Sequence, residues 1–377
     1  MKFYYFDNAA TTRLDNDVLR SMIPYSNEVY GNASSSYKLG RNSKIAIENS
    51  RQKVAKVLGC KSTEIYFTSG GTESDNTALK GIAHANRLNG NHIITSAIEH
   101  PAILESCKSL EKEGFSITYL PVNNVGLIDL NTLEKSITNS TILISVMYAN
   151  NEIGTIEPIN RIGSISHKHG IPFHTDAVQA VGSLPLKVDE LNVDALSMSA
   201  HKFYGPKGVG ALYVRESVPF ERFMSGGHQE RNMRAGTENV AGIVGLGTAI
   251  ELAYKNFDSH NYKIKELRDY FLKSMISYFP DLKINGSLKE RLPGNANISF
   301  KNIQGKVILD SLDKLGIYAS AGSACSAGIT KLSHVLDAIG MPEEYSKNSL
   351  RISIGKYNSK EDINYLIYAL KRILGHR

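Results

Sequence analysis

The chain has 377 residues, of which 42% are hydrophobic and 21% charged, a composition typical of a globular protein and unlike disordered or fibrous chains. Its net charge of +6 is spread along the sequence, which disfavours nucleic acid as a direct partner. No apolar run approaches the roughly 20 residues that span a bilayer, and the first residues lack the pattern of a signal peptide, so we expect no membrane association. The length favours two domains.

The cysteines also limit the possible classes. Cys60, Cys107 and Cys325 are odd in number and far apart. They can form neither a disulfide framework nor a paired-cysteine metal or redox site, and we expect no bound metal. The sequence therefore predicts a reducing, cytoplasmic compartment.

Short apolar runs alternate with helix-length segments in the first part of the chain. The predicted strands are 64–69, 92–96, 116–120, 141–148, 171–176, 193–199 and 208–214. This alternation predicts βαβ units, hence a mainly parallel sheet with helices on both faces. The connection before the last strand is short, so that strand can run antiparallel.

The pattern changes after a helical run over 239–257. Predicted helices at 259–278, 304–315, 333–340 and 360–374 alternate there with the apolar runs "NISF" and "LRISIG". We expect a second, smaller α/β domain that begins near residue 258.

Polar clusters follow several predicted strands of the larger domain. They are "TSGGTESDN", "AIEHPA", "YANNEIG", "HTDAVQ" and "SMSAHK". In open α/β sheets, ligands bind beyond the carboxyl ends of the strands. The recurrence of these clusters at strand ends predicts one shared site.

The first of these clusters has the features of a phosphate-binding turn. Gly70 and Gly71 allow the backbone to approach an anion, and Thr72 with the free amides of a following helix can bind phosphate. An ordinary helix cap at a strand–helix turn explains the same residues. The spacing matches neither a Walker loop nor a dinucleotide fingerprint.

Two charged residues in later clusters add a chemical interpretation. Lys202 lies at a strand end, where a lysine suits a Schiff base, although most lysines are solvated surface charges. Asp176 ends another strand, where it is either a buried acceptor or the partner of a protonated ring nitrogen. A lysine, an aspartate and a phosphate-binding turn together predict pyridoxal 5'-phosphate (PLP) as cofactor.

The whole chain resembles a known protein family. The matching blocks, in order, are "YFDNAATT", "GNASS", "FTSGGTESDN", "EHPAI", "NNEIGTIEPI", "HTDAVQ", "SAHKFYGPKG", "MRAGTENV", "AGSACSAG" and "LRISIG". They resemble the PLP-dependent cysteine desulfurases of the class V aminotransferase family, closest to the group that serves iron–sulfur assembly and nitrogen fixation. The stretch from Cys325 to Leu336 resembles the long mobile cysteine loop of that group.

The resemblance implies a PLP transferase fold of type I and a homodimer. It implies a large PLP-binding domain at 16–258 and a small domain formed by 1–15 and 259–377, which carries the catalytic cysteine. It also implies conversion of L-cysteine to L-alanine, with sulfur passing as a persulfide to an acceptor protein for cluster assembly or other sulfuration.

Residue roles follow from the same resemblance, position by position. The implied catalytic residues are Cys325, which takes the sulfur, Lys202, which binds the cofactor covalently, and His100, which stacks on the ring and relays protons. The implied cofactor-binding residues are Gly71, Thr72, Asp176, Gln179, Ser199, His201 and Lys202, with Thr237 reaching across from a second subunit. The implied substrate-binding residues are Asn32, Asn151 and Arg351.

Several of these residues have simpler explanations when each is taken alone. His100 fits a helix cap or a satisfied core histidine, and Arg351 fits a surface ion pair. Cys325 lies among Ser, Ala and Gly, which suits a nucleophile on a travelling loop more than a core cysteine. We interpret Cys60 and Cys107 as packing residues.

The chain departs from the family pattern at three positions. Ala33 replaces a proline, Tyr37 a histidine and His228 a glycine. We expect these changes to act on local loop geometry and subunit contacts and to leave the core chemistry intact.

Two other functions keep much of this site. A selenocysteine lyase or a class V aminotransferase would use the same cofactor, and an aminotransferase would not need Cys325. A non-enzymatic sulfur carrier is a third alternative, against which the intact set of Lys202, Asp176, His100 and Cys325 argues.

Overall fold

A computed structural model describes residues 3–301, 304–321 and 333–375, so Cys325 lies outside the described residues. The strands are β1 (Tyr4–Tyr5), β2 (Ile65–Thr68), β3 (His92–Ser96), β4 (Ser116–Leu120), β5 (Thr141–Ser145), β6 (Phe173–Asp176), β7 (Ala195–Ser199), β8 (Gly210–Val214), β9 (Lys283–Ile284), β10 (Asn295–Ser299), β11 (Ile317–Tyr318) and β12 (Ser349–Ser353). The helices are α1 (Asn16–Met22), α2 (Pro24–Asn27), α3 (Lys38–Leu58), α4 (Gly71–Ala85), α5 (Pro101–Lys112), α6 (Leu130–Ser136), α7 (Ile159–Lys168), α8 (Val188–Leu191), α9 (Val240–Lys255), α10 (Phe257–Tyr278), α11 (Gly305–Lys314), α12 (His334–Ala338), α13 (Glu343–Ser346) and α14 (Lys360–Leu374).

The main sheet contains every strand predicted in the first part of the chain. Its strand order is β2-β8-β7-β6-β5-β3-β4. Only β8 runs antiparallel to its neighbours in this sheet, β2 and β7, as its short connection predicts. β5 ends at Ser145, three residues before the predicted end, although the amides of Val146 and Tyr148 still donate to His174 and Asp176 of β6.

Helices cover this sheet on both faces, as the continuous apolar runs predict. Every residue of β3, β5 and β7 is buried. Successive strand residues point to opposite faces, and neighbours such as Ile93 and Ile94 accordingly belong to different hydrophobic clusters. One cluster contains residues of α4 and α5, and the other contains residues of α3, α7 and α9.

A second, antiparallel sheet has the order β12-β10-β9. Its own hydrophobic cluster contains Phe271, Ile298, Ile352 and Leu366, and it also includes Phe6 from the start of the chain. The strand β1 pairs with β11 in parallel, which brings the first residues to the same part of the molecule. The domain boundary near residue 258 stays a prediction, and this separation of the hydrophobic clusters supports it.

Within residues 3–301, 304–321 and 333–375, none of the helices combines the length and the apolar character that crossing a bilayer requires.

Candidate active site

Four predicted site residues lie at one edge of the main sheet. The strands β2, β3, β6 and β7 run parallel to one another, so their carboxyl ends meet at the same edge. Gly71, His100, Asp176 and Lys202 stand at or shortly after these ends. The polar clusters that follow separate strands in the sequence thus converge, as predicted.

The turn at the start of α4 is built for close approach. Gly70 has φ 154°, and a Cβ on Gly71 would lie 2.7 Å from Cγ2 of Val178. Gly70 caps the helix without a side-chain hydrogen bond, so no side chain occupies the first-turn amides at the cap. The buried Ser199 lies beside this turn, its Oγ 3.6 Å from the place of a Gly70 Cβ, and Thr72 is exposed next to it. This geometry fits a bound phosphate.

Asp176 ends β6 as a buried carboxyl group. One of its oxygens accepts a hydrogen bond from the amide of Val178 at 2.8 Å. Burial raises the pKa of Asp176, while the nearby His100 ring, the hydrogen bond from Val178 and the charge of Lys202 act to lower it. A cation placed against this carboxyl group would therefore be stabilised.

His100 combines a structural and a chemical position. Its Nδ1 accepts a hydrogen bond from the amide of Ala102 at 3.1 Å and so caps α5, which begins with Pro101. The neutral ring must then carry its proton on Nε2. Burial lowers the pKa of His100, with a further lowering by Lys202 and His334 against an opposing effect of Asp176. The helix-cap explanation is therefore correct, and the ring also lies close enough to Asp176 and Lys202 to interact with both.

Lys202 and its neighbours are held by the start of the chain. The Nζ of Lys202 donates to the carbonyl oxygens of Ala9 and Ala10, at 2.6 and 2.7 Å. Gln179 donates to the same Ala9 oxygen at 2.9 Å. His201 bonds through Nδ1 to the hydroxyl of Thr11 at 3.1 Å, and burial lowers its pKa to about 4. Lys202, Gln179 and His201 are thus brought together against residues 9–12.

Arg351 lies on β12 and forms a buried ion pair, not the surface pair that the residue taken alone would suggest. Its side chain is 2% exposed, and its Nη2 donates to Oδ1 of Asp7 at 2.8 Å. Its Nη1 donates to the backbone oxygen of Asn151 at 3.2 Å, so two predicted substrate residues are in contact. Among the described residues, the buried Nε of Arg351 has no hydrogen-bond partner. A carboxylate is the group that satisfies such a donor best.

Other predicted residues do not join this group in the single chain. Thr237 and Asn32 are exposed, and the side-chain oxygen of Asn32 accepts a local bond from the amide of Ser34. An ion pair between Arg234 and Glu73, at 2.8 Å, ties the segment before Thr237 to the first turn of α4. Cys325 lies outside the described residues.

Residue-level reasoning overlooked several groups that the structure places here. Asp7, Glu152 and Asp75 stand inside quoted motifs, and that was the available signal. Asp75 is 1% exposed, and Oδ1 of its carboxyl group lies 3.8 Å from Nε2 of His174. His174 lies on β6, two residues before Asp176. His334 donates from Nε2 to the carbonyl oxygen of Glu99 at 3.0 Å, which places it one residue from His100.

The remaining sequence predictions concern packing. Cys107 is fully buried and Cys60 packs against the core, and burial raises the pKa of each thiol to about 12. Of the three positions that depart from the family pattern, Ala33 is buried, Tyr37 is exposed, and His228 forms a hydrogen bond with Asn232 on the surface. In the ranges that the structure describes, His, Cys, Asp and Glu form no group able to hold a metal ion.

The aminotransferase class-V family model matches residues 4–366 of the chain. The chain belongs to the aminotransferase class-V family. Enzymes of this family depend on PLP, and the site of this chain fits that cofactor. A glycine turn with no room for a Cβ at Gly71, a buried carboxyl group and a lysine lie along one edge of the main sheet.

Several class-V relatives are similar over the full length. The cysteine desulfurase IscS of Dictyoglomus turgidum is 52% identical over 98% of this chain and 94% of its own length. A solved NifS-like protein is 40% identical, with a TM-score of 0.94 and complete coverage of both chains. The solved structure of SspA in complex with cysteine is 38% identical, with a TM-score of 0.84 over 94% of this chain and all of that one.

Proposed function

We propose that this protein is a PLP-dependent cysteine desulfurase that converts L-cysteine to L-alanine and passes the sulfur, as a persulfide on Cys325, to an acceptor protein. The observation that carries the proposal is the meeting of His100, Asp176 and Lys202 at one sheet edge, with Arg351 buried beside Asn151. Two relatives that are 52% and 50% identical, over 98% and 100% of this chain, are named cysteine desulfurase.

The residues divide the work of holding the cofactor. The phosphate would be held by the amides at the start of α4 and by Gly71, Thr72, Ser199 and His201. Asp176 would pair with the ring nitrogen and Gln179 with the ring hydroxyl. Lys202 would make the covalent link. When bound, PLP supplies an electron sink for the bonds at the substrate α-carbon.

The substrate carboxylate would bind to Arg351, whose buried Nε lacks a partner in the described part of the chain, with Asn151 and Asn32 assisting. Burial lowers the pKa of His100, and the neutral ring carries its proton on Nε2 because Nδ1 accepts from the amide of Ala102, so Nε2 can donate that proton and take one back. The protein thereby provides both orientation and proton transfer beside Asp176.

The sulfur transfer itself is a displacement at sulfur. The thiolate of Cys325 attacks the substrate sulfur, an S–S bond forms and the C–S bond breaks. The electron pair stays with the substrate carbon, which is protonated to give alanine. L-cysteine and the enzyme thiol thus yield L-alanine and the enzyme persulfide, with all atoms balanced.

A second copy of the chain would complete the site. Thr237 is exposed in the single chain, and Phe223 and Met224 of the preceding segment expose 44% and 39% of their surface. These features support a homodimer in which Thr237 reaches the partner's phosphate. We infer a cytoplasmic enzyme whose sulfur serves iron–sulfur assembly or another sulfuration pathway.

The test is alanine and sulfide release from L-cysteine with a thiol reductant, comparing wild type with Cys325→Ser. Both products from wild type and neither from the variant, with the PLP absorption retained in both, would support the proposal. Equal turnover by the variant would contradict it and favour the aminotransferase or selenocysteine lyase. Light scattering of the purified protein tests the dimer independently.

A further inference from the structure

Three consecutive residues shortly before Thr237 adopt a left-handed backbone. Glu230, Arg231 and Asn232 have φ of 44°, 55° and 69°. Residues that carry a side chain disfavour this conformation, so a run of three persists only where other contacts hold it. The run lies within residues 228–237, here called the arm, which ends at Thr237. The contacts of the arm must therefore offset the cost of this backbone.

A buried carboxylate holds the first residue of the run. The two oxygens of Glu230 accept from Nη1 and Nη2 of Arg51 at 2.7 and 2.8 Å, and one of them also accepts from the amide of Phe67 at 2.8 Å. Glu230 is 7% exposed and Arg51 is 3% exposed. Phe67 lies on β2, the outermost strand on one side of the main sheet. A two-point pair of this kind fixes orientation as well as position, so the arm is anchored on the edge of the sheet.

Arg231 binds the same edge. Its Nη2 donates to the carbonyl oxygens of Ile65 and Thr63 at 2.6 and 3.0 Å, and its guanidinium carbon lies 4.5 Å from the centre of the Tyr66 ring. Neighbouring side chains of an extended segment point to opposite sides. The left-handed turn allows both Glu230 and Arg231 to bind at β2, which gives the unusual backbone a physical reason.

Two hydrogen bonds close the arm on itself. Nδ1 of His228 donates to the side-chain oxygen of Asn232 at 2.6 Å, and the side-chain oxygen of Gln229 accepts from the amide of Gly236 at 3.1 Å. His228 stands where the family pattern has a glycine, which could not make the first of these bonds. The arm is thus already formed in a single copy of the protein.

Glu73 joins the arm to the phosphate-binding turn of the same chain. Its two oxygens accept from Nε and Nη2 of Arg234 at 2.8 and 3.1 Å. One of them, Oε2, also accepts at 2.8 Å from the amide of Ser69, the residue before Gly70. Glu73 is buried. One carboxylate therefore fixes the arm and the turn relative to each other.

Thr237 is held on both sides, yet it is exposed. Arg234 stands three residues before it. Asn239, two residues after it, caps α9 by accepting from the amide of Gly242 at 3.0 Å. A residue that is fixed by its neighbours and open to solvent can meet a group on another molecule with little further ordering cost.

We propose that Glu230 and Glu73 are positioning residues that hold the arm, through Arg51 and Arg234, so that Thr237 meets the phosphate bound by a second copy of this chain. The inference rests on the proposed function, which gives Thr237 that partner. In its effect on the cofactor, the arm of one copy thereby belongs to the site of the other. Loosening the arm of one copy should therefore loosen PLP in its partner.

The test uses mixed dimers purified through two different affinity tags. One chain carries Lys202→Ala, so the visible PLP absorption comes from the other chain, whose Lys202 is intact. Arg234→Lys or Glu230→Gln is added to either chain, and loss of the absorption is followed during dialysis. On the Lys202→Ala chain each change should speed the loss about tenfold, the size of one hydrogen bond to a charged group. On the chain that holds PLP it should have little effect.

The choice of chain separates positioning from stability. A loss of stability alone would speed the release of PLP whichever chain carried the change, and that result would overturn the proposal. An unchanged rate in both arrangements would overturn it as well.

Arg215→Lys is the matched control. Arg215 pairs with Asp194 at 3.0 Å, and the two side chains are 29% and 8% exposed, against 22% and 7% for Arg234 and Glu73. Arg215 follows β8, which runs antiparallel to its neighbours and so ends at the opposite edge of the sheet. The loss of PLP should therefore stay as in wild type whichever chain carries this change. An acceleration equal to that of Arg234→Lys would overturn a specific role of the arm.

A double change tests whether the arm acts through Thr237. Thr237→Val removes the hydroxyl and keeps the shape of the side chain. Combined with Arg234→Lys on the Lys202→Ala chain, it should cost no more than the larger single effect, because the two residues act as one unit. Additive effects would show that they act separately and would overturn the assignment.

The readout of the mixed dimers is independent of the proposed reaction. If the wild type holds PLP but releases no alanine from L-cysteine, the desulfurase proposal fails and the mixed dimers still test the arm. If alanine is released and the arm variants act only on their own chain, the desulfurase proposal stands and the assignment of the arm is overturned. A monomeric wild type in light scattering would overturn that assignment too.

Discussion

The two halves of the candidate site are built differently. The cofactor half, defined by Gly71, His100, Asp176 and Lys202, consists of residues that stand at or shortly after buried strands of one sheet. The carboxylate half, defined by Asp7, Asn151 and Arg351, joins residues up to 344 positions apart. The first half is fixed by local backbone geometry, whereas the second depends on how two sheets and the start of the chain pack together.

The largest effect is expected in the cofactor half, from Lys202→Ala. Loss of the amine that would make the proposed covalent link should lower alanine formation about a thousandfold or more, and the visible PLP absorption should be lost. Lys207→Ala, which changes an exposed neighbour, is the control and should behave as wild type. An active Lys202→Ala variant would remove the basis of the comparison.

His100 allows the two roles within the cofactor half to be separated. His100→Asn keeps a good helix cap but removes the imidazole, so we expect about a hundredfold loss of kcat with little change in the free energy of unfolding. His100→Ala should lose about 1 kcal/mol of stability as well. Urea unfolding and initial rates measure both, and equal kcat in Asn and wild type would show that the ring acts only as a cap.

A smaller effect is expected in the carboxylate half from Arg351→Lys. The charge remains, but the planar guanidinium that contacts Asp7 and Asn151 is lost. We expect KM for L-cysteine to rise about tenfold while the PLP absorption is unchanged. A rise in KM accompanied by loss of cofactor would show that the halves are not independent.

The smallest expected effect is a pH dependence of stability that comes from Glu99, the residue before His100. Burial raises the pKa of Glu99 to about 8, from 4.5 in an unfolded chain. The folded protein therefore binds the extra proton between these values, and the free energy of unfolding should fall as pH rises from about 4.5 to 8. Glu99→Gln should flatten that slope in urea unfolding at several pH values, whereas Glu111→Gln, an exposed change on α5, should leave it as in wild type.

The contrast also explains how much the sequence could predict. The strands, the antiparallel β8 and the convergence at the sheet edge follow from short-range patterns of apolar residues, and all are confirmed. The helix predicted at 333–340 is observed as α12, His334–Ala338, a difference of the size expected at helix ends.

The long-range contacts could not be predicted in this way. Nothing near Arg351 in the sequence indicates that its partner is Asp7, because the contact exists only once the residues that follow β1 lie against β12. The sequence around His100 also could not separate its two roles, because helix capping and catalysis favour the same residue at the same place. The residue roles inherited by resemblance, including that of Thr237, stay predictions, and the variants of Cys325, Lys202, His100 and Arg351 test four of them.

The way residues 7–12 contact Arg351, Lys202 and His201 has a consequence for synthesis. These residues are synthesised long before Ser353, to which Asp7 bridges. At about 5–20 residues per second, the amino terminus waits roughly 20–70 seconds before that partner exists. The nascent chain therefore has no finished site until Ser353 has been made, and residues 7–12 can join β12 only after that point.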